Sequence, residues 1–320
     1  MRGVGSIVRA KNSTRRHALL GIGVTAALAT LSSCSMPLAL SNLATPKAPA
    51  LRVASFNIQY LDLTRDGQNG KRSLESWEDR KLGVLSVVRR IDPDILAFQE
   101  MESWAGAPQN GSPVQRTWLS SQMPDYAFAA CTCGDGLESG QPIFFRRSRF
   151  TLSDYGTQTI GSVIDETLEQ VQIRTGAFAG YSDLVSWVSL FDLVTGAALT
   201  VVNTHMHFSN QLRQEGAAQL AVRIARMAME RGDRVVVLGD MNVLALAPPI
   251  TVLRAGGLTL VPSEGASFHF NNGLHAFGAI DHILHGPSLM ARDEAQIVRG
   301  QFRGIWPSDH YPVWVDLHPI

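Results

Sequence analysis

Six short runs hold the side chains able to do chemistry, and each follows an apolar stretch. They are Phe56-Asn57-Ile58-Gln59, Phe98-Gln99-Glu100, Asn203-Thr204-His205, Gly239-Asp240-Met241-Asn242, Ile280-Asp281-His282-Ile283 and Pro307-Ser308-Asp309-His310-Tyr311-Pro312-Val313. Carboxylates and carboxamides offer the oxygen atoms that hard cations prefer, and imidazoles exchange protons near neutral pH. One such run alone carries little weight, because Asn, Asp or Glu at a strand end commonly forms a turn or a cap. A lone His beside a strand is more often structural. Six in succession, each after a strand, are hard to explain as coincidence.

The elements that must position these runs are legible in the apolar pattern. Leu51–Phe56 reads as a strand ending at Asn57. Leu74, Trp77, Leu82, Leu85, Val88 and Ile91 recur at helical spacing, which predicts an amphipathic helix over 74–91 stopped by Asp92-Pro93-Asp94. Ile95–Phe98 is the next strand, and Ile143–Phe145, Leu184–Phe191 and Ala198–Val202 follow. A helix over 211–230 precedes strands at Arg234–Leu238, Ala279–Leu284 and Tyr311–Leu317. Several of these strands are apolar on both faces, as expected of strands buried between layers. No repeat and no second linker interrupts 51–320, so this stretch reads as one α/β domain.

These residues resemble the endonuclease/exonuclease/phosphatase superfamily, the metal-dependent phosphoesterases related to DNase I and exonuclease III. Gly239-Asp-Met-Asn242 and Ser308-Asp-His-Tyr-Pro-Val313 are the most specific pieces. Trp77-Glu-Asp-Arg-Lys81, Pro93-Asp-Ile-Leu96, Ile143–Phe150 and Ser267-Phe-His-Phe270 agree with one bacterial branch. The resemblance spans 51–320 and implies a DNase I-like four-layer α/β sandwich, with two packed mixed sheets flanked by helices. It implies a site where strand ends converge, and hydrolysis of a phosphate ester by in-line attack of an activated water. Such hydrolysis wants a cation on the phosphoryl oxygens and donors for the developing charge. By resemblance, Asn57 and Glu100 hold Mg²⁺, with Mn²⁺ or Ca²⁺ as alternatives, and Asp309 reaches a metal in some relatives. Asp240 aligns or deprotonates the water, Asn242 positions it, and His205 and His310 are donors to the phosphate. Asp281 and Asp309 are the candidates to orient the two imidazoles, with the pairing open.

The chain departs from the family pattern in three places. Gln59 stands where some relatives carry a second acid, and His207 follows Met206 where Asp is common. His207 reads as a surface replacement. Arg146 and Arg116 are the candidates for a mid-chain phosphate contact.

The N-terminus reads as an address. Residues 1–33 contain five basic side chains, no acid and an uncharged run from Ala18 to Leu31, the order of an export signal. That run is shorter than the ~20 residues that span a bilayer. Thr14-Arg-Arg-His-Ala-Leu-Leu20 resembles a twin-arginine signal, and Leu31-Ser-Ser-Cys34 a lipobox that ends on an acylated cysteine. The alternative is an ordinary signal peptide with an accidental Cys34. Residues 34–50 then form a tether to an exported, cell-envelope bacterial enzyme, held to the membrane by a lipid anchor, with no protein partner implied. Cys131 and Cys133 remain open between a strained disulfide and free thiols.

Composition limits the function. The chain is 45% apolar and 18% charged with 28 basic and 28 acidic residues, so it is neither disordered nor a polycation. Removing residues 1–33 leaves a net charge of about −5. That withdraws electrostatic support for a nuclease without excluding one, and a phospholipid or small-molecule phosphodiesterase competes with it. A catalytically dead binding module on the same scaffold ranks behind both, because the residues at the chemical positions are all types that support catalysis.

Overall fold

The computed structural model describes residues 43–44, 46–61, 72–101, 114–129, 140–160 and 184–320. The segment read as an export signal, Cys34, Cys131 and Cys133 lie outside them.

The strands are β1 (Leu51–Asn57), β2 (Ile95–Gln99), β3 (Tyr126–Ala129), β4 (Ile143–Arg146), β5 (Phe150–Thr159), β6 (Leu184–Asp192), β7 (Ala197–His205), β8 (Arg234–Asp240), β9 (Thr259–Leu260), β10 (Asp281–His285), β11 (Leu289–Ala291), β12 (Gln296–Ile297) and β13 (Val313–Pro319). The helices are α1 (Leu74–Ile91), α2 (Val114–Gln122), α3 (Gln211–Glu230) and α4 (Pro248–Ala255). One sheet has the order β11-β13-β1-β2-β4-β3, with β12 also on β13; the other has the order β5-β6-β7-β8-β10-β9. Each is mixed. β1 runs parallel to β2 across the α1 crossover, β7 parallel to β8 across α3, and the remaining pairs are antiparallel.

Alternation along the central strands builds the layers. Val53, Ile95, Ala97 and Phe145 face Val188, Val201, Val236 and Leu238 in the core between the sheets. The intervening Ala54, Phe56, Leu96 and Phe98 pack under Trp77, Val84 and Val88 of α1. On the far side Val202, Val235 and Val237 pack under Ala217, Leu220 and Ala221 of α3. The order helix, sheet, sheet, helix is the expected four-layer sandwich.

α1 begins at Ser73, whose hydroxyl accepts the Ser76 N–H at 3.1 Å. It ends at Asp92, which takes φ 51° and donates its N–H to Val88 O. The tether reading meets a different arrangement at its C-terminal end. Leu43 N–H donates to Arg90 O at 3.0 Å, and Ala44 O accepts from Arg52 at 2.8 Å. The carbonyls of Pro49 and Ala50 accept from Arg149 at 3.2 and 2.7 Å.

Candidate active site

In each sheet the parallel pair sends two strand C-termini the same way, the end at which open α/β sheets bind ligands. Asn57 and Glu100 leave β1 and β2, and His205 lies opposite Asp240 at the ends of β7 and β8. β10 runs antiparallel to β8, and its register sets Asp281 opposite Asp240. A cavity of about 360 Å³ opens there, lined by Glu100, His205, Asp240, Asn242, Asp309 and His310 among others.

Local backbone conformation aims these groups. Gln59, Glu100 and Asn242 all have positive φ, of 59°, 55° and 52°, so the chain turns sharply at three strand ends. The turns are held by side-chain oxygens. Asn57 Oδ1 accepts the Gln59 N–H at 3.0 Å, Glu100 Oε2 the Tyr60 N–H at 3.0 Å, and Asp240 Oδ1 the Asn242 N–H at 3.0 Å. Asn57 therefore presents its Nδ2, which donates to Glu100 Oε1 at 3.2 Å and Asp240 Oδ2 at 3.0 Å. The carboxamide bridges the two sheets' carboxylates.

The two imidazoles meet on Asp240. Its Oδ2 lies 3.5 Å from His205 Nε2 and 3.6 Å from His310 Nε2, and Glu100 Oε1 lies 3.8 Å from His205 Nε2. The open pairing closes on Asp281, whose Oδ2 is 3.0 Å from His310 Nδ1. Asp309 turns elsewhere, accepting from Gln59 Nε2 at 3.1 Å and from the Ser308 hydroxyl at 3.3 Å. Ligand atoms of Asp240, Asp281 and His310 also lie within 4.8 Å of one another, a grouping able to hold a metal ion, with His310 Nδ1 already engaged by Asp281.

Electrostatics divides the groups. Burial works against a cation on His310, yet Asp281, Asp240 and Asp309 outweigh it and carry its pKa up to about 10. Burial pushes His205 down, beyond what Asp240 restores. It pushes Asp240 up to about 6, with Asp281 adding to the rise. Glu100 is also pushed up, by burial and then by the charge of Asp309. A crowd of buried acids around an oxygen-lined cavity is what a hard cation relieves.

Several runs divide between the cavity and its support. Gln99 and Asn203 are not in the cavity. Gln99 Nε2 donates to Asn203 Oδ1 at 2.7 Å and Asn203 Nδ2 to Phe98 O at 2.8 Å, a polar bridge between the sheets beneath the site. Ser267-Phe-His-Phe270 clamps the His310 loop. The Ser267 hydroxyl accepts the Ile280 and Asp281 N–H groups at 2.9 and 3.1 Å, and the ring of Phe268 packs 4.7 Å from that of His310.

The expected arginines are corrected. Arg146 is spent on Asp92 at 2.6 Å and the Tyr126 hydroxyl at 2.8 Å, and Arg116 lies over Phe128; neither lines the cavity. Both emerge from elements of the β3–β4 margin, away from the strand ends that converge. Arg72 and Tyr60 line it instead, with Arg72 Nη1 donating to the Tyr60 hydroxyl at 2.6 Å. Sequence reasoning missed this pair because neither residue sits in an apolar period. His207 also lines the cavity, and its Nδ1 accepts the Ser209 and Asn210 N–H groups at 3.1 Å each, so it is a turn former.

Comparisons with known proteins agree with this geometry. The chain belongs to the endonuclease/exonuclease/phosphatase family, whose sequence profile matches residues 54–310. Its fold is similar to that of an endonuclease/exonuclease/phosphatase from Bacteroides vulgatus, at TM-score 0.66 and 21% identity over 85% of this chain and 99% of that one. The mannosyl-6-phosphatase of Bacteroides thetaiotaomicron gives 0.65 and 21% over 84% and 99%. The human Nocturnin catalytic domain gives 0.57 and 18% over 86% and 97%. No curated protein matches.

Proposed function

We propose that this chain hydrolyses a phosphate ester, a phosphodiester in the first instance, with a divalent cation, Mg²⁺ before Mn²⁺ or Ca²⁺. The observation that carries the reading is the convergence of Glu100, Asp240, Asp309, His205 and His310 on one cavity from both sheets. The donors on its acidic side are oxygen atoms, and the raised Glu100 beside Asp309 marks a place where positive charge is wanted. Glu100 and Asp309 are the residues that would hold the cation; the predicted ligand Asn57 instead turns its Nδ2 toward the carboxylates and would ligate only with its amide reversed. When bound, it neutralises phosphoryl oxygen charge.

The remaining work falls to the chain's own groups. Asp240, raised to about 6 and fixed by the Asn242 N–H, is placed to take the proton of an attacking water. Asn242 lies at the cavity wall, its own amide held by donation to Met206 O at 2.8 Å. His310, kept protonated by Asp281, donates to a phosphoryl or leaving oxygen, and the neutral His205 donates beside it. Arg72, braced on Tyr60, adds a fixed positive charge.

The test uses bis-p-nitrophenyl phosphate and p-nitrophenyl phosphate, with and without EDTA, beside Glu100→Ala. Removing the cation or its carboxylate should cost at least about a hundredfold. Activity that survives both treatments overturns the metal reading. No hydrolysis of any phosphate ester favours the binding module.

Our reading also makes the protein an exported lipoprotein, with residues 1–33 cleaved and Cys34 acylated. Its support is the basic run, the uncharged stretch and Leu31-Ser-Ser-Cys34. Incorporation of an alkyne-labelled fatty acid in a bacterial host, lost in Cys34→Ser, is the expected result. Among the described residues no helix is long and apolar enough to cross a membrane.

A further inference from the structure

Three segments wall the cavity, and they share a property that phosphate chemistry does not require. Residues 205–212, 241–253 and 265–280 contain no Asp, Glu, Lys or Arg. The first supplies Met206, His207 and Phe208 to the cavity, the second Asn242, and the third Phe268 and Ile280. They are joined into one surface. Asn242 Nδ2 donates to Met206 O at 2.8 Å, Met241 N–H donates to Ile280 O at 2.9 Å, and the Leu244 side chain lies against Gly278.

Beyond the cavity the same segments expose large apolar side chains. Phe208 is 71% exposed, Leu246 90% and Phe277 61%, with Leu212, Leu244 and Phe270 also exposed. Single exposed apolar residues are ordinary, but a set carried by the same three segments that supply Met206, Phe208, Phe268 and Ile280 to the cavity lining marks a binding surface. A nucleic-acid strand would need cations along its track. Among the described residues lining the cavity, Arg72 is the one Lys or Arg. Leu212, Leu244 and Leu246 have no π face on which a base could stack.

We infer that the substrate is a lipid phosphodiester met at a bilayer or micelle surface, with this uncharged rim entering the interface while Arg72 and the imidazoles engage the phosphate. This rests on the proposed phosphoester hydrolysis. Water adds across one P–O ester bond: its oxygen joins phosphorus, the ester oxygen leaves with a proton, and an alcohol and a phosphomonoester result. A rim without Lys or Arg binds through apolar burial, so attachment should change little with salt.

The test compares the full chain carrying Cys34→Ser, which removes the proposed lipid anchor, with the same chain carrying the Leu246→Ser/Phe277→Ser double substitution as well, neither residue being part of the catalytic set. The probes are phosphatidylcholine vesicles, monomeric short-chain phosphatidylcholine, single-stranded DNA and bis-p-nitrophenyl phosphate. Turnover of phosphatidylcholine should rise when the substrate aggregates. The double variant should lose tenfold or more on vesicles, stay within twofold on bis-p-nitrophenyl phosphate, and no longer sediment with vesicles in 0.5 M salt. Equal vesicle turnover by both proteins overturns the inference, as does faster cleavage of DNA than of lipid. A dimer lost in the variant with vesicle turnover unchanged assigns the rim to a second copy and also overturns it. If bis-p-nitrophenyl phosphate and every other ester stay intact, the hydrolytic reading fails instead, and vesicle sedimentation alone decides the rim.

Discussion

Gly239 has the least freedom of the Gly239-Asp-Met-Asn242 run although it carries no reactive group. Its φ is 146°, and a Cβ there would lie 1.9 Å from Thr204 O. The cause is the parallel β7–β8 pairing, which brings the two backbones together one residue before His205 and Asp240 come level. Gly239→Ala must push the strands apart at that point, and we expect a loss above about 4 kcal/mol. Thermal denaturation of the variant would show it, and an unchanged midpoint would refute the steric argument. His269 sets a pH limit of a different kind. It is fully buried, stacks on Tyr311 with ring centroids 4.0 Å apart, and burial lowers its pKa to about 3. The unfolded chain binds this proton near pH 6.5 and the folded chain only near 3. The stability due to the neutral ring is therefore complete above 6.5 and drains away as pH falls toward 3. His269→Phe keeps an aromatic ring without the titration. Its melting temperature should fall less between pH 7 and pH 5 than that of the parent, and parallel curves would remove His269 from the account.

Whether an element could be read from sequence depended on how its apolar residues were spaced. The bounds of α1 were legible because Trp77, Leu85, Val88 and Ile91 recur on its buried face before the Asp92-Pro93 stop, although Leu74 and Leu82, read as part of that face, are exposed. β5 was not. It is largely polar, with a bulge between Leu152 and Asp154, and so reads as loop. α2 buries Gln115 and Arg116 beside Leu119, and α4 opens on two prolines, so both lack the expected pattern. The site was legible as a set of strand ends but not as pairs. Asp281 finds His310 only through the antiparallel β8–β10 register and the loop clamped by Phe268. The Trp77-Glu-Asp-Arg-Lys81 run contains a further member of that support. Arg80 is 3% exposed, and its guanidinium donates to the carbonyls of Ile58, Gln59 and Pro307. One helical side chain thus fastens the end of β1 to the loop before Asp309. Arg80→Met leaves the carbonyls of Ile58 and Pro307 without this donor and that of Gln59 with Gln115 Nε2 alone, at about 3–5 kcal/mol by analogy with broken buried ionic contacts. Urea denaturation should report that loss and the activity should fall with it. Arg80→Lys should not restore either, since one ammonium cannot span a fork of three acceptors.

At the scale of the whole molecule, the two sheets are joined at their margins by a buried guanidinium, and a segment outside both sheets completes it. Arg149 binds Asp94 Oδ2 at 2.8 Å, just before β2 of one sheet, and Asp192 Oδ2 at 3.2 Å, at the end of β6 in the other. Its Nε also donates to Asp192 Oδ1 at 3.3 Å, and its last two protons go to the carbonyls of Ala50 and Pro49. Arg149 has five N–H donors, and burial makes an unpaired one costly. The residues before Leu51 are therefore part of the folded unit where they pass Arg149, whatever the segment before them does. A chain beginning at residue 43 should be more stable than one beginning at residue 51 by about 2–4 kcal/mol, counting the acceptors lost to Arg149 and Arg52. If the segment acts through Arg149, the two truncations should couple to Arg149→Met in a double-mutant cycle. The cost of removing 43–50 then shrinks in the Met background, because no guanidinium remains to be left unpaired. A full, additive cost in that background would mean that the segment stabilises through Arg52 and Arg90 alone, and that the seam between the sheets closes without it.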